Sequence, residues 1–357
     1  MPERPHHAHP ALWSWQRWAL GIVCLVLLAV AVRAEGPMFG ESVRSFGHLR
    51  WRPLVFAVLA ETGSMIALAL MERRILILAG HRVPVGRAIA IAYASNALSQ
   101  SLPVIGSGAA TSFSYRRLVS RGAAPAIVGW ALILAGVVSN VAFLVIICIG
   151  AIVSGNVWAV VAGGAGLALS AVVIVVAVIA TRRTSVRQRV IGAAVWTLRR
   201  VQRLVRRPVG DPDGIVAGTL AGLGAFRPNT RDVTHLVASA FRNWALDLLC
   251  LAFAIRATGA QVPWWGIVLA WAAGSGGASL NLTPGGLGIV EAALTGALVA
   301  LGVPAAPAVT AVLVYRAITF WLAIAIGWPL YYWLLRSERR QLPRPGLSPG
   351  TGHLPLS

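Results

Sequence analysis

One stretch of this chain combines residue types that rarely share an apolar segment. It reads Leu282-Thr283-Pro284-Gly285-Gly286-Leu287-Gly288-Ile289-Val290-Glu291, and long apolar runs flank it. A helix break beside a carboxylate is tolerated at membrane depth only where it is packed in protein or lines a cavity. Glu291 follows Pro284 by seven residues, so it projects from the helix that restarts after the break. The free N–H groups and positive dipole of such a restart suit an anion such as a phosphate headgroup.

A second chemical feature is Tyr315-Arg316, which lies inside the last apolar run. An arginine in such surroundings is expensive unless it is paired, so we expect Arg316 to be the counter-ion of Glu291 or of a lipid phosphate. Two interpretations stay open. The residues form a substrate site, or they form a buried pair that only locks two helices together.

Two more carboxylates fall within apolar runs. Glu61 is at the centre of its run, where it either exchanges protons or pairs with an arginine distant in sequence. Asp247 follows Arg242 by five residues, and these two are candidates for a local pair. Asn243-Trp244 belongs either to the site or to an interfacial anchor. Glu61, Asp247 and Asn243 are therefore candidates for coupling transport to an energy source.

Composition decides the class of protein that must position these residues. Of the 357 residues, 57% are hydrophobic and only 12% are charged. A soluble protein carries about 25% charged residues. The chain is therefore an all-α polytopic membrane protein. We expect about six full membrane-spanning helices and two Gly/Pro-broken hairpins, from about eight to ten apolar segments.

The net charge of +20 does not indicate a nucleic-acid binder. All 31 basic residues are arginine, and most lie in short segments between apolar runs. The positive-inside rule distributes charge in this way, whereas nucleic-acid binding needs a basic soluble face. The sequence offers no metal-ligand set, cofactor motif or nucleotide-binding motif, so we expect no metal, no cofactor and no nucleic-acid partner.

The apolar runs divide the chain into five parts. The run over residues 18–32 is a first membrane span or, alternatively, a cleaved signal peptide. We predict a disordered N-terminus (1–12), a first membrane half (13–181), a cytoplasmic linker (182–233), a second membrane half (234–335) and a disordered cytoplasmic tail (336–357).

The linker begins with an arginine-rich segment over residues 182–207. It holds nine arginines, and its apolar residues fall on one helical stripe. This pattern is typical of an amphipathic helix on an anionic cytoplasmic leaflet. A solvated cytoplasmic helix that contacts no lipid is the alternative.

The two halves resemble each other in outline. In each, an acid-bearing span precedes a broken hairpin and a long span follows it, and the segment 99–103 that ends in Pro103 matches the segment 279–284 that ends in Pro284. If the short arginine-rich loops are cytoplasmic, the first hairpin must enter from the inside and the second from the outside. Such an arrangement is an inverted-topology repeat, in which the substrate site lies where the broken elements meet.

The block Thr283-Pro284-Gly285-Gly286-Leu287-Gly288, with Glu291 and the downstream Tyr315-Arg316, resembles the flippase-like membrane region of lysylphosphatidylglycerol synthases. The stand-alone UPF0104 membrane proteins share this pattern. The first hairpin departs from it, since Leu102-Pro103-Val104-Ile105-Gly106 lacks the Gly-Glu-x-x-Arg continuation of many relatives. Tyr115-Arg116-Arg117 is the candidate replacement for the missing basic group.

In those synthases a soluble aminoacyltransferase domain follows the membrane region, whereas this sequence has about 20 residues after its last apolar run. The resemblance therefore implies the lipid-translocating part alone. We expect a flippase for an anionic or polyprenyl-linked lipid in the bacterial inner membrane, and no enzymatic activity. A lipid-phosphate transferase is one alternative, and a non-catalytic partner of a separate glycosyl- or aminoacyltransferase is another. The residues expected at the lipid site are Thr283, Pro284, Gly285, Gly286, Gly288, Glu291, Tyr315, Arg316, Pro103, Gly106 and Arg116.

Overall fold

The structure is a computed structural model. It describes residues 49–339, except positions 79, 104, 121, 123, 124 and 156 and the segments 183–228 and 280–282. The predicted first span, the arginine-rich segment beyond Arg182, the predicted disordered N-terminus and residues 340–357 lie outside the described residues. Residues 336–339, which we predicted as the start of a disordered tail, continue the last helix. Within the described part all regular structure is helical, which confirms the all-α class.

The first half contains two long helices on either side of a hairpin, followed by a third long helix. These are α1 (Trp51–Leu78), the hairpin α2 (Val85–Ser101) and α3 (Gly106–Val119), α4 (Pro125–Ser154) and α5 (Val157–Arg182). Helix α1 exceeds the predicted span over residues 53–70, and the predicted irregular region at 88–115 is a pair of regular helices with a short break between them.

The second half repeats this order without a counterpart of α5. It consists of α6 (Thr230–Ala257), the hairpin α7 (Ile267–Ser279) and α8 (Ile289–Ala300), and one long final helix. A 3₁₀ turn (Pro284–Gly286) lies within the hairpin. The final helix comprises α9 (Ala305–Arg316), a π-helical turn (Ala317–Leu322) and α10 (Ala323–Arg339).

Four helical segments in the described residues are long and apolar enough to cross a membrane. They are Trp51–Leu78, Ala131–Ser154, Thr230–Ala257 and Ala305–Ser337, and shorter apolar helices accompany them. A crossing needs about 20 apolar residues. The polytopic class is thereby shown, while the number of full spans over the whole chain stays a prediction.

The acid-bearing helices α1 and α6 pack against each other along their length. The Arg50 N–H donates to the Ala257 carbonyl at one end (2.9 Å), and Arg74 pairs with Asp232 at the other. Between them, the Ser64 hydroxyl donates to Asn243 Oδ1 (3.3 Å). Residue numbers rise along one helix as they fall along the other, so the two helices are antiparallel.

The two hairpins enter the bundle from opposite ends. Val83 and Leu118, at the two feet of the first hairpin, pack in one apolar cluster with Leu236, near the start of α6. Val262 and Val303, at the feet of the second hairpin, pack with Ile255, near the end of α6. The breaks of both hairpins therefore point toward the middle of the bundle.

Each hairpin also packs against the long helix of the opposite half. A Cβ on Gly150 of α4 would come within 2.4 Å of the Val268 side chain of α7. Correspondingly, a Cβ on Gly327 of α10 would come within 2.4 Å of the Tyr93 carbonyl of α2. Reciprocal packing and an antiparallel central pair are what an inverted repeat requires.

Tight packing within the first hairpin leads to a stability prediction. A Cβ on Gly106 would lie 2.1 Å from the Ser99 carbonyl oxygen, whereas a Cβ on Gly108 meets nothing within 4 Å. Backbone atoms cannot move aside as the end of a flexible side chain can. We therefore expect Gly106→Ala to destabilise the protein by about 1–3 kcal/mol. Thermal unfolding of the purified protein in detergent, with Gly108→Ala as the matched control, measures this. Equal stability of the two variants would contradict the predicted contact.

Candidate functional site

The break in the second hairpin is built from glycine backbone. The 3₁₀ turn begins at Pro284, and Gly285, Gly286 and Gly288 have φ values of +56°, +70° and +86°. These are left-handed conformations that favour glycine. The Thr283 hydroxyl donates to the Leu287 carbonyl (2.8 Å) and closes the turn. The Pro-Gly-Gly-x-Gly pattern is thus needed to reverse the chain before α8 begins.

Glu291 caps the start of α8. Its Oε2 accepts from the Gly288 N–H at 2.6 Å, so the carboxylate satisfies a backbone donor at the helix terminus. Its Oε1 accepts from Arg316 Nε, also at 2.6 Å. The predicted pairing with Arg316 is therefore confirmed, and both oxygens of Glu291 are engaged.

Arg316, at the end of α9, binds the backbone at the other end of the break from Glu291. Its Nη2 donates to the Gly285 carbonyl (2.7 Å), and its guanidinium carbon lies 4.6 Å from the centre of the Phe320 ring. The arginine side chain is 8% exposed. Nη1 has no hydrogen-bond partner among the described residues, so one face of the guanidinium remains able to bind an anion.

Phe320 follows Arg316 by four residues, so the two side chains lie on the same side of the last helix. The π-helical turn directly follows Arg316, and π turns in α-helices occur frequently at functional sites. Gln100 Nε2, from the end of α2, donates to the Thr319 carbonyl in this turn (3.2 Å) and to Asn96 Oδ1 (3.1 Å). The first hairpin therefore stabilises the widened turn that carries part of the second half's site.

Asp247 is held by donors from two neighbouring helices. Tyr315 donates its hydroxyl to Oδ1 and Trp271 donates its indole N–H to Oδ2, both at 2.9 Å. The local pair considered for Arg242 and Asp247 does not form. Arg242 donates instead to the Ser239 hydroxyl (2.9 Å), because positions five residues apart do not lie above one another on a helix.

These groups surround one cavity of about 290 Å³ between the two hairpins. Its polar and charged lining residues come from both halves of the chain, and apolar and aromatic side chains complete the wall. The polar lining is Glu61, Ser64, Asn96, Gln100, Asn243, Asp247, Ser275, Tyr315, Arg316 and Thr319; the rest is Met65, Trp244, Trp271, Gly274, Ala278, Val290 and Leu294.

Aromatic stacking makes one wall of the cavity rigid. Phe143, Trp244 and Trp271 contact one another, with ring centroids 4.8–5.7 Å apart. The Trp244 indole N–H also donates to the Ser139 carbonyl of α4 (2.8 Å). Trp244 is therefore packed inside the bundle, and its partner Asn243 is buried beside Ser64. These contacts within the bundle favour a place in the site over the interfacial anchor that was the alternative for Asn243-Trp244.

The structure brings together only part of the predicted site. Glu61, Asn243, Asp247, Tyr315 and Arg316 line the cavity, and the 283–291 block borders it through Arg316 and Val290. The three candidates from the first hairpin do not line it. Pro103 lies at the break, Gly106 provides close packing and Arg116 is exposed.

Several lining residues were not predicted as site residues. Asn96 and Gln100 are four positions apart, so they share one face of α2, and this polar pair in an apolar run was a readable signal. Trp271 and Thr319 carried no such signal. Nothing in their local sequence distinguishes a carboxylate-binding indole or a π turn from an ordinary membrane helix.

The arrangement suits binding of a polar group within an apolar bundle. It offers one arginine, several amides and hydroxyls, and two carboxyl groups, next to an apolar wall. Among the described residues no group of three His, Cys, Asp or Glu side chains could hold a metal ion.

The fold and the cavity define a class: helical membrane proteins with a central polar chamber between two broken hairpins. The family model of the lysylphosphatidylglycerol synthase transmembrane region matches residues 12–327, so the chain belongs to that family. A UPF0104 membrane protein of Pyrococcus horikoshii is 24% identical over 170 residues, which are 45% of this chain and 51% of that protein. The chain thus spans about half the length of this curated relative.

The contact between Gly285 and Phe320 gives a test of the site's packing. A Cβ on Gly285 would lie 2.0 Å from the Phe320 ring, whereas one on Gly288, which also has a positive φ, meets nothing within 4 Å. Both alanine variants carry backbone strain of about 1–3 kcal/mol. We expect Gly285→Ala to lose more stability than Gly288→Ala, and Phe320→Ala to rescue part of the difference. Thermal unfolding of the three single variants and of the double variant Gly285→Ala/Phe320→Ala measures this. Equal losses of stability in Gly285→Ala and Gly288→Ala would refute the contact.

Proposed function

We propose that the protein moves a phosphate-bearing lipid across the membrane by housing its headgroup in the central cavity. The observation that carries this proposal is the cavity itself. Polar side chains from both halves of the chain line it, and it lies between two hairpins that enter from opposite ends. It also contains Arg316, whose Nη1 has no hydrogen-bond partner among the described residues. A headgroup bound midway between the two ends would be at a similar distance from both leaflets.

Arg316 is the proposed phosphate ligand. Guanidinium groups bind phosphate through paired N–H donors, and hydrogen bonds to charged groups contribute about 1.5–3 kcal/mol. Nη1 is available at once, and Nη2 becomes available if the phosphate replaces the Gly285 carbonyl as its acceptor. The amides of Asn96, Gln100 and Asn243 supply further donors, so a headgroup would meet polar groups from both hairpins.

The acyl or polyprenyl tails need no polar path. The apolar lining at Ala278, Val290 and Leu294 leads from the cavity toward the hairpin α7–α8. Large apolar side chains are exposed on the outer faces of the helices, where they suit contact with lipid, for example Leu59 and Trp321. Tails can therefore stay in the bilayer while the headgroup passes through the bundle.

The proposed substrate is an anionic phospholipid or a polyprenyl-linked lipid, and the proposed location is the bacterial inner membrane. The family description concerns synthases of lysylphosphatidylglycerol, which supports a lipid. We propose no group-transfer chemistry for the described bundle, so a separate transferase would make the lipid that it moves. The proposal of a separate transferase partner is tested by searching for lipid products of the purified protein.

Lipid movement can be tested in vesicles reconstituted with purified protein and a panel of fluorescent lipids. We expect Arg316→Ala to slow translocation of the preferred lipid about 10- to 100-fold, which corresponds to one lost charged hydrogen bond. The translocation rate of Arg316→Lys should lie between those of the wild type and Arg316→Ala, because lysine keeps the positive charge but lacks the paired N–H donors of the guanidinium. Arg256→Ala is the matched control, since Arg256 is exposed at the end of α6.

Unfolding curves must accompany these rates, because Arg316 also stabilises the break. If Arg316→Ala does not fold, Gln100→Ala and Asn96→Ala test the same cavity from the other hairpin. Wild-type translocation by correctly folded Arg316→Ala would discard the phosphate-ligand assignment. Formation of a modified lipid by the purified protein would instead favour a transferase.

The arginine distribution also predicts the orientation of the bundle. Arginines concentrate where α1 ends and α6 begins, at Arg73, Arg74, Arg82, Arg87, Arg116 and Arg117. By the positive-inside rule this end should be cytoplasmic, and the end near Ala257 should face outward.

Cysteine accessibility in intact cells tests this orientation. The two reporters Arg116→Cys and Ala300→Cys replace exposed residues at opposite ends, in a background that lacks Cys24, Cys148 and Cys250. We expect an impermeant thiol reagent to label position 300 in intact cells and position 116 only after the membrane is opened. Labelling of both positions from one side would contradict the opposed hairpins.

A further inference from the structure

Two carboxyl groups face each other across the antiparallel pair of α1 and α6. Glu61 precedes Ser64 by three residues and Asp247 follows Asn243 by four, and Ser64 donates to Asn243 at 3.3 Å. Both acids therefore lie within about one helical turn of the same contact. Both line the central cavity. They are counterparts in the two halves of the chain, yet their surroundings differ.

Asp247 has the surroundings of a fixed acceptor. Each of its oxygens receives a hydrogen bond, from the Tyr315 hydroxyl and from the Trp271 indole N–H. Donors on both oxygens favour the ionised form of a carboxyl group. The indole N–H can only donate, so a proton on Oδ2 would weaken that bond.

Glu61 has the opposite surroundings. It is 9% exposed, and its Oε2 is buried with no hydrogen-bond partner among the described residues. The arginine partner considered from the sequence is not found there. An ionised carboxylate without donors is costly to bury, whereas a protonated one is much cheaper.

The groups that face Glu61 strengthen this contrast. Asp247 and Cys250 face it from α6, Tyr93 from α2 and Tyr315 from α9. Among the described residues, the arginine that lines the cavity is Arg316, whose Nε and Nη2 bind Glu291 and the Gly285 carbonyl. None of these neighbours supplies a positive charge for an ionised Glu61, and Asp247 opposes its ionisation.

We propose that Glu61 is the proton-binding site of this protein, and that Asp247 is a positioning residue that remains ionised. The carboxyl group of Glu61 carries the proton in the resting bundle. When the cavity opens to water at one end, the proton leaves for solvent and a carboxylate remains beside Asp247. Two like charges in one cavity then favour a different arrangement of the hairpins until a proton returns.

The coupling of this proton to lipid movement rests on the proposed function, whereas the binding of the proton does not. The first experiment therefore uses no lipid substrate. Infrared difference spectroscopy of the purified full chain, recorded while the pH is raised, detects the loss of protonated carboxyl groups. We expect the wild type to lose a carboxylic-acid band that Glu61→Gln lacks from the outset.

Two further variants make the assignment specific. Asp247→Asn should keep the band of Glu61, and Glu72→Gln, which removes the other acid of α1, identifies any band that Glu72 contributes. Absence of the band from the wild type, its persistence in Glu61→Gln, or its loss only in Asp247→Asn would overturn the proposal. Displacement of the band by sodium at constant pH would also overturn it, because the ligand would then be an alkali cation.

The second experiment tests coupling in reconstituted vesicles. An imposed proton gradient should change the rate of lipid translocation several-fold in the wild type and leave the rate of Glu61→Gln unaffected. A gradient effect that persists in Glu61→Gln would overturn the coupling. If no lipid moves in any variant, the proposed function fails, while the infrared result still decides whether Glu61 binds the proton.

Discussion

The Arg316 guanidinium makes the contacts on which the rest of the site depends. A chain that reverses inside an apolar bundle leaves backbone groups without partners, and each such group costs several kcal/mol in a membrane. Here Glu291 accepts the N–H of Gly288, and Arg316 binds both Glu291 and the Gly285 carbonyl. The Glu291–Arg316 ion pair therefore supplies hydrogen-bond partners for backbone groups on both sides of the break. The same arginine lines the cavity, so the stability of the break and any binding by the cavity share one side chain.

The antiparallel pair of α1 and α6 explains why the cavity lies in the middle of the bundle. Polar contacts fix the register of this pair at both ends and near its centre, where Ser64 meets Asn243. The hairpins then pack from opposite ends, so both breaks lie toward the middle of this pair. Gln100 spans this gap when it donates to the π turn of the last helix. A structural change in the first hairpin would therefore alter a hydrogen bond to the half of the chain that contains the second.

Composition and periodicity predicted the class, the two broken hairpins and the Glu291–Arg316 pair, because each depends on residue type and local spacing. Tertiary contacts account for the predictions that were wrong. Asp247 was matched with Arg242 from its own helix, yet its partners come from α7 and α9. Arg116 was taken as a replacement for a missing basic group, yet it is exposed. The widened turn at Thr319 depends on Gln100, about 200 residues away, and no local pattern encodes it.

The difference between the two hairpins follows from the same physical constraint. The second hairpin solves its backbone problem with a charged pair, while the first ends in the amides Asn96 and Gln100. The Gln100 amide donates to Asn96 within α2 and to the Thr319 carbonyl of the last helix, so the first hairpin contributes an uncharged contact to the second half of the chain. The charge asymmetry leaves the cavity with two carboxyl groups beside one arginine that is already paired. Among the described residues, Glu61 is the carboxyl group of this cavity whose Oε2 has no hydrogen-bond donor, so its protonation would set the net charge of the cavity lining.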